Sequence, residues 1–234
     1  MQAGTHRQRW TLMIVVAAMA LSFATGGAQN NDDLSTVTAA MNRNAAAFKN
    51  VQADFEWETY NAALKEKDPD VQTGKSYFLR KGTDLAAKLD VTAPTPKQVL
   101  YKDGVVSFYE PKPNRITKRD VGNNKADVDA AMSLGFGGRA DDLLKAYDVK
   151  FAGWEVLDGV RTAKLELVNK NPHGAFSKAV IWIDPERDVA LQQQFFSSSG
   201  DYRLIRYHNV KFNRGISDNE FKLHTHDKPE VVTQ

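Results

Sequence analysis

Residues 51–60, VQADFEWETY, decide the fold class of this chain. Apolar side chains alternate here with polar or charged ones: Val51, Ala53, Phe55 and Trp57 are each followed by a polar or acidic residue. A period of two is typical of a β-strand that has one face on an apolar interior and the other in water. The stretch therefore predicts a strand that covers a core or a cavity on one side.

More strand-like runs follow this one on its C-terminal side. Asp103-Gly104 and Asp158-Gly159 are strong hairpin signals, because both central residues of such a tight turn need a positive φ. A long polar turn over residues 61–73 precedes the next strand. The predicted strands are 74–81, 85–91, 99–101, 105–109, 149–156, 161–168, 177–183, 189–197 and 202–212. Short strands joined by hairpins predict an antiparallel sheet that curls into a barrel or half-barrel.

Helices are predicted in two places. Residues 32–48 have apolar side chains at spacings of three and four, which is typical of an amphipathic helix. Between the two groups of strands, 125–132 and 140–147 are helical, and Leu134-Gly135-Phe136-Gly137-Gly138 connects them. We expect the N-terminal helix and this insertion, residues 125–147, to cover the concave face of the sheet.

The N-terminus predicts export. Residues 1–28 carry a positive n-region with Arg7 and Arg9, an apolar run of 13 residues over 12–24 and a small-residue cleavage site. The run is shorter than the ~20 residues that a membrane-spanning helix needs. We expect residues 29–234 to be one domain in the periplasm, with a loose tail over 224–234 and, since the chain has no cysteine, no lipid anchor and no disulfide.

The charge of residues 29–234 is balanced. The whole chain has a net charge of +2, and two of its arginines, Arg7 and Arg9, lie in the export signal. Without them, 29 basic and 29 acidic side chains remain. Proteins that bind nucleic acid need clustered lysine and arginine to neutralise phosphates, so no nucleic-acid partner is expected. Attraction to anionic lipid headgroups is disfavoured for the same reason.

An ordered set of motifs resembles the outer-membrane lipoprotein carrier family, the LolA type. The matching stretches are 51–55, 77–80, 101–104 with 108–111, 134–138 with 142–144, 183–185, and 209–212 with 218–221. The resemblance implies an incomplete, unclosed antiparallel β-barrel with a helical lid over a hydrophobic cavity. It also implies a monomeric carrier with no cofactor, which takes acylated lipoproteins from an inner-membrane ABC-type lipoprotein-releasing complex to an outer-membrane lipoprotein receptor.

Candidate residues follow from strand parity and from the resemblance. The predicted lipid-binding cavity consists of the apolar positions taken to face inward: Phe55, Trp57, Phe78, Leu89, Phe108, Trp182, Phe195 and Leu204. The simpler alternative is that these side chains pack in a hydrophobic core and bind no ligand. In the family an arginine near the end of an early strand latches the lid, and Arg80 is the nearest match, although Lys81-Gly82 follows it where the family often has proline. The predicted lid and hinge residues are Leu134, Phe136, Gly137, Leu143 and Leu144.

Catalytic and metal sites are weak alternatives. His224, His226 and Asp227 are spaced for a metal ion on a strand, but a solvated tail is the simpler interpretation. His173 lies in a Pro/Gly loop without an evident nucleophile, and Glu56 and Glu58 belong to a solvated face. We therefore expect no enzyme and no metal. The competing functions are an envelope-stress or lipid-sensing binding module, a carrier of another lipid and, more distantly, an exported hydrolase.

Overall fold

The computed structural model describes residues 26–234 except 83, 172, 173 and 175. Residues 1–25 of the predicted export signal, and His173, lie outside the described residues. Among the described residues, no helix has both the length and the apolar character needed to cross a membrane.

The described residues form three α-helices and thirteen β-strands. The helices are α1 (Gly26–Ala45), α2 (Lys125–Met132) and α3 (Ala140–Ala146). The strands are β1 (Asn50–Asn61), β2 (Glu66–Lys67), β3 (Gln72–Lys81), β4 (Asp84–Ala93), β5 (Lys97–Lys102), β6 (Val105–Glu110), β7 (Arg115–Asp120), β8 (Tyr147–Leu157), β9 (Val160–Asn169), β10 (Lys178–Asp184), β11 (Val189–Phe196), β12 (Tyr202–Phe212) and β13 (Glu230–Thr233). Two 3₁₀ turns, Gly122–Asn124 and Asp218–Phe221, complete the set.

All thirteen strands belong to one sheet that does not close. Its order is β13-β7-β6-β5-β4-β3-β1-β12-β11-β10-β9-β8, and β2 pairs with β1 at the side of this path. Neighbouring strands are antiparallel, apart from the parallel pair of β13 and β7. The predicted fold class, a mainly β, unclosed antiparallel sheet with helices, is confirmed.

Residues 51–60 form a strand with one buried face, as their alternation predicted. Val51, Ala53 and Phe55 are buried, whereas Glu56 on the other face is exposed. Phe55 lies between Gly74 of β3 and Tyr207 of β12. This strand thus joins the two halves of the sheet, β3–β7 and β8–β12, and contributes its apolar face to the interior.

The Asp-Gly turns also form as expected. Asp103 and Gly104 have φ values of 53° and 75°, and they connect β5 to β6 with Lys102 paired to Val105. Positive φ at both positions gives the turn a twist that matches the flanking strands. Asp158 and Gly159 connect β8 to β9 in the same way.

The helices and the insertion cover the concave face over two apolar clusters. One cluster lies under α1 and α3, where Val37 and Met41 meet the inner side chains of β8, β9 and β10. The other combines β1, β3, β4 and β5 with Phe136 of the insertion. A small third cluster around Phe221 lies on the opposite, convex face, against Tyr77 and Ala86.

Three strands differ from the sequence prediction, and one of them, β13, lies in the tail. β7 was missed because Ile116 is its single large apolar residue, and β2 is only two residues long. The expected loose tail is instead tied down. The backbone N–H of His226 donates to the Tyr109 hydroxyl at 2.9 Å, and β13 pairs with β7. Pairing with a distant strand leaves no periodic signal in so short a segment.

Candidate functional site

An apolar cavity lies between the concave face of the sheet and α2. Its volume is about 130 Å³. The walls come from both halves of the sheet, and the end of α2 and Phe136 cover part of the cavity from above. The lining residues are Phe78, Ala87, Leu89, Val99, Tyr101, Ala131, Met132, Phe136, Gln193, Phe195, Ile205 and Tyr207. We call this space the concave cavity.

The few polar groups in the wall are satisfied within the protein. The Tyr207 hydroxyl donates to Gln193 Oε1 at 2.8 Å, and Gln193 Nε2 donates to the carbonyl of Leu134. The Tyr101 hydroxyl donates to Asp129 of α2. Burial raises the pKa of Tyr207 and of Tyr101, so both phenols stay neutral. The surface offered to a ligand is therefore essentially hydrocarbon and aromatic ring.

Phe136 occupies the centre of the concave face. Its ring stacks on Phe78 with centroids 3.8 Å apart and meets Tyr207 edge-on at 5.2 Å. The backbone on both sides of Phe136 is bound to the start of β11 and to the residue before it. The N–H of Ala190 donates to the Gly135 carbonyl at 2.6 Å, and the N–H of Gly137 donates to the Asp188 carbonyl at 3.1 Å. The insertion thus places one of its own aromatic rings where the two halves of the sheet meet.

Glycine is needed on each side of this ring. Gly135 and Gly137 have φ values of 78° and 67°, in the region that side chains disfavour. A Cβ on Gly137 would lie 2.3 Å from the Phe48 ring, and one on Gly135 would lie 2.5 Å from the Ala190 Cβ. The glycines allow the chain to approach the sheet closely enough for Phe136 to reach Phe78.

Five of the eight predicted cavity residues lie on the concave face near this site. Phe78, Leu89 and Phe195 line the cavity. Phe55 and Trp57 share its face, because they pair with the lining residues Tyr207 and Ile205, but they pack in the surrounding cluster. Their role in binding remains a prediction.

The other three lie elsewhere. Phe108 pairs with Val99 and so lies on the concave face, yet its side chain is 42 % exposed and outside the cavity. Trp182 and Leu204 lie on the convex face, contrary to the inward orientation taken for them. Trp182 Nε1 donates to Glu155 at 2.6 Å, and Leu204 pairs with Glu58. A shift of one residue in strand parity reverses the face of a side chain, and apolar residues on both faces of β10 and β12 hide that parity.

Sequence reasoning missed six lining residues of the sheet and two of α2. They are Ala87, Val99, Tyr101, Gln193, Ile205, Tyr207, Ala131 and Met132. Ile205 and Tyr207 have a signal in the sequence, since they alternate with Leu204 and Arg206 and pair with the predicted strand 51–60. Gln193 has none, because a polar residue on an inner face becomes interpretable only when its partners are known.

A second cavity adjoins the first at the rim of the sheet. Its volume is about 470 Å³, and we call it the rim chamber. Its walls come from the three helices, the residues between α2 and α3, the facing ends of β3 and β4, and the start of β8. The lining residues are Met41, Asn42, Ala45, Ala46, Arg80, Gly82, Leu85, Asp129, Ala130, Ser133, Leu134, Gly135, Gly137, Gly138, Arg139, Asp142, Leu143 and Tyr147.

Some of the predicted lid residues line the rim chamber, and others do not. Leu134 and Leu143 are buried, and both line the rim chamber. Leu144 is 38 % exposed. Arg80 also lines the chamber, but its side chain makes no hydrogen bond to α2 or α3 among the described residues, so the lid-latch role stays a prediction.

Chemical alternatives to binding find little support in the part of the chain that is described. No group of three or more His, Asp or Glu side chains there is arranged to hold a metal ion. His224 exchanges two hydrogen bonds through its backbone with the Gln98 side chain, which gives it a structural role. Its ring approaches Asn219.

Solved structures with a similar fold were found at low sequence identity. No protein-family model matches the chain. A crystal structure of an uncharacterized conserved protein from Thermus thermophilus matches with a TM-score of 0.55 and 12 % identity, over 86 % of this chain and 99 % of that one. A crystal structure of MucB matches with a TM-score of 0.52 and 14 % identity, over 88 % of this chain and 66 % of MucB. The chain shares its fold with MucB.

Other matches are more distant in structure or shorter in sequence. A LolA superfamily protein from Nitrosomonas europaea matches with a TM-score of 0.40 and 14 % identity, over 81 % of this chain and 97 % of that one. In sequence, the uncharacterized protein MJ0687 of Methanocaldococcus jannaschii is 29 % identical over 117 residues. Half of this chain is matched there, and the match spans about a third, 32 %, of MJ0687.

Proposed function

We propose that this protein binds acyl chains in the concave cavity, as a carrier of acylated lipoproteins. The observation that supports the proposal best is an apolar cavity whose polar wall groups are hydrogen-bonded within the protein and which an insertion covers in part from above. Such a surface can receive hydrocarbon without leaving a buried polar group unpaired.

The size of the cavity implies that it opens when it is filled. An apolar cavity of ~150 Å³ in another protein takes up a molecule of the size of benzene. At about 130 Å³ the concave cavity holds a similar volume, which is only a short part of an acyl chain. A longer chain therefore needs the space that Phe136 and α2 occupy, and the insertion has to move away from the sheet.

The energetic reason for a carrier is the insolubility of the cargo. Each methylene removed from water contributes about 0.8 kcal/mol, so a chain of ~16 carbons left in water costs on the order of 10 kcal/mol. Enclosure in a closed cavity offsets this cost during passage through an aqueous space. No catalytic group takes part in such a role, and we expect none here.

In the full proposal the protein works in the periplasm. It receives lipoproteins from an inner-membrane ABC-type releasing complex and passes them to an outer-membrane receptor. The basis is the ordered set of LolA-type motifs together with the predicted export signal over residues 1–28.

A second candidate is a binding module that senses lipid or a partner protein. MucB, which has the same fold, has been solved in complex with MucA. A sensor is expected to bind one signalling protein, whereas a carrier is expected to bind many lipoproteins through their acyl chains.

The cavity assignment is tested by a pair of leucine variants. Leu89 lines the concave cavity, and Leu204 lies on the convex face. Leu89→Glu should weaken binding of a fluorescent acyl probe by at least about tenfold, because an unpaired carboxylate in an apolar wall costs well over the ~1.4 kcal/mol that corresponds to tenfold. Leu204→Glu should leave the dissociation constant unchanged. Equal effects of the two variants, with both folded by circular dichroism, would contradict the cavity assignment.

The carrier role needs a separate experiment. The purified protein is incubated with spheroplasts that make labelled lipoproteins, and the supernatant is analysed for soluble complexes. Stoichiometric complexes that depend on the acyl chains of the cargo are expected from wild type and Leu204→Glu, and not from Leu89→Glu. Acyl-probe binding without any lipoprotein release would favour a sensor or a carrier of another lipid.

A further inference from the structure

We propose that the rim chamber recognises the head of the bound acyl chain, with Arg80 donating a hydrogen bond to its carbonyl or carboxylate oxygen. The inference deepens the proposed function and rests on it, because it places the tail of the same chain in the concave cavity. The shared chemistry is an acyl oxygen, which both a free fatty acid and an ester-linked chain present.

The position of Arg80 continues the wall of the concave cavity. In the β3–β4 ladder, Phe78 pairs with Ala87, and both line that cavity. Two residues further along, Arg80 pairs with Leu85, and both line the rim chamber. Residues two apart on a strand share a face and lie about 6.6 Å apart. The guanidinium therefore belongs to the same surface as the aromatic wall, one rung closer to the rim.

The two cavities are separated by the backbone around Phe136. Leu134, Gly135 and Gly137 line the rim chamber, whereas Phe136 lines the concave cavity. The displacement of Phe136 that a long chain requires also removes the partition between the two spaces. A chain that lies against Phe78 then has its head beside Arg80.

Arg80 differs from the other charged residues of the chamber because it has no ion pair among the described residues. Asp129 pairs with Lys125, Arg139 with Asp141, and Asp142 with Lys145. These three pairs leave Arg80 as the charge available to a ligand.

The surroundings of Arg80 contain unpaired hydrogen-bonding atoms. Its Nε is buried and has no acceptor, and the fully buried carboxylate of Asp188, whose charge interacts with Arg80, has no donor. Buried donors without a partner are rare, so such an atom points to an acceptor that binds there. Burial raises the pKa of Asp188 to about 8, so at neutral pH this side chain is mostly protonated and leaves the charge of Arg80 largely uncompensated.

The test compares ligands with the same chain and different heads. Dodecanoate, methyl dodecanoate and dodecyltrimethylammonium compete with a fluorescent acyl probe for the full chain at neutral pH. Wild type should bind dodecanoate about 10- to 100-fold more tightly than dodecyltrimethylammonium, the range that a hydrogen bond to a charged group contributes. Tight binding of the methyl ester as well would identify an ester carbonyl as sufficient, and its weak binding would identify a free carboxylate.

Two methionine variants assign the preference to one residue. Arg80→Met keeps the length and the apolar stem of the side chain, and it should remove the preference for dodecanoate. Arg139→Met is the matched control, since Arg139 lines the same chamber but already pairs with Asp141 at 2.9 Å. It should keep the wild-type preference.

The other possible results contradict either the head-group site alone or acyl binding as a whole. Equal binding of dodecanoate and dodecyltrimethylammonium by wild type, or an unchanged preference in Arg80→Met, overturns the head-group site while acyl binding stands. If the fluorescent acyl probe does not bind wild type, or binds but is displaced by none of the three ligands, there is no specific acyl site, and both acyl binding and the head-group site are overturned. The wild-type comparison needs no variant, so poor folding of Arg80→Met does not prevent a decision.

Discussion

Phe136→Ala should make the protein less stable and, at the same time, a tighter binder of long acyl chains. Phe136 is 2 % exposed and contacts Phe78 and Tyr207 through its ring. Truncating a buried phenylalanine to alanine costs about 3–5 kcal/mol of the free energy of unfolding. In wild type, a chain too long for the cavity has to break the same ring contacts before it binds. The variant has already lost them.

The gain in affinity follows from the contacts that the ligand no longer breaks. Each aromatic pair contributes about 0.5–1.5 kcal/mol beyond its buried area, so the two pairs together oppose binding by about 1–3 kcal/mol. The dissociation constant for dodecanoate should therefore fall by about 5- to 150-fold. Stability is measured by urea unfolding without ligand, and affinity by displacement of the fluorescent acyl probe.

Phe221→Ala is the matched control for this variant. Phe221 is equally buried, at 3 % exposed, but it packs on the convex face against Tyr77 and Ala86. We expect a comparable loss of stability and an unchanged dissociation constant. If Phe136→Ala binds dodecanoate no more tightly than wild type does, Phe136 does not compete with the ligand, and a long chain binds without displacing the insertion.

Two further predictions concern stability. Burial raises the pKa of Asp188 from 3.8 to about 8. Between these two values the folded state keeps a proton that the unfolded state releases. The free energy of unfolding should therefore fall by up to about 1.4 kcal/mol per pH unit as the pH rises from about 4 to 8. Asp188→Asn should reduce that slope in urea midpoints measured across this range, and equal slopes in both proteins would show that Asp188 does not cause it. Tyr109→Phe removes a buried hydroxyl that accepts from the His226 N–H and donates to Asn114, and it should cost about 1–3 kcal/mol. Amide exchange over residues 230–234 should become faster in this variant, and unchanged exchange would mean that other contacts hold the tail.

Part of this structure is predictable because its signals are local. The alternation in residues 51–60 identifies β1, and the Asp-Gly pairs at 103–104 and 158–159 identify two hairpins, since each depends on backbone preferences of adjacent residues. The helix over Lys125–Met132 was predicted with its observed bounds. β7 and β13 were not predicted, because a charged strand and a four-residue tail carry no alternating apolar signal. β7 becomes a strand by pairing with β6, and β13 by pairing with β7.

The sequence by itself determined the type of surface that this protein builds, namely a one-sided apolar sheet with a glycine-flanked aromatic insertion. Only the tertiary structure decided which side chains share the concave cavity. Trp182 and Leu204 are as apolar as Phe78 and Leu89, yet they lie on the convex face. The orphaned Nε of Arg80 beside buried Asp188 is likewise a property of the folded chain. The physical reason is that strand parity and hydrogen-bond satisfaction depend on the register between paired strands, which for Glu58 and Leu204 are more than a hundred positions apart, and a single sequence does not record that register.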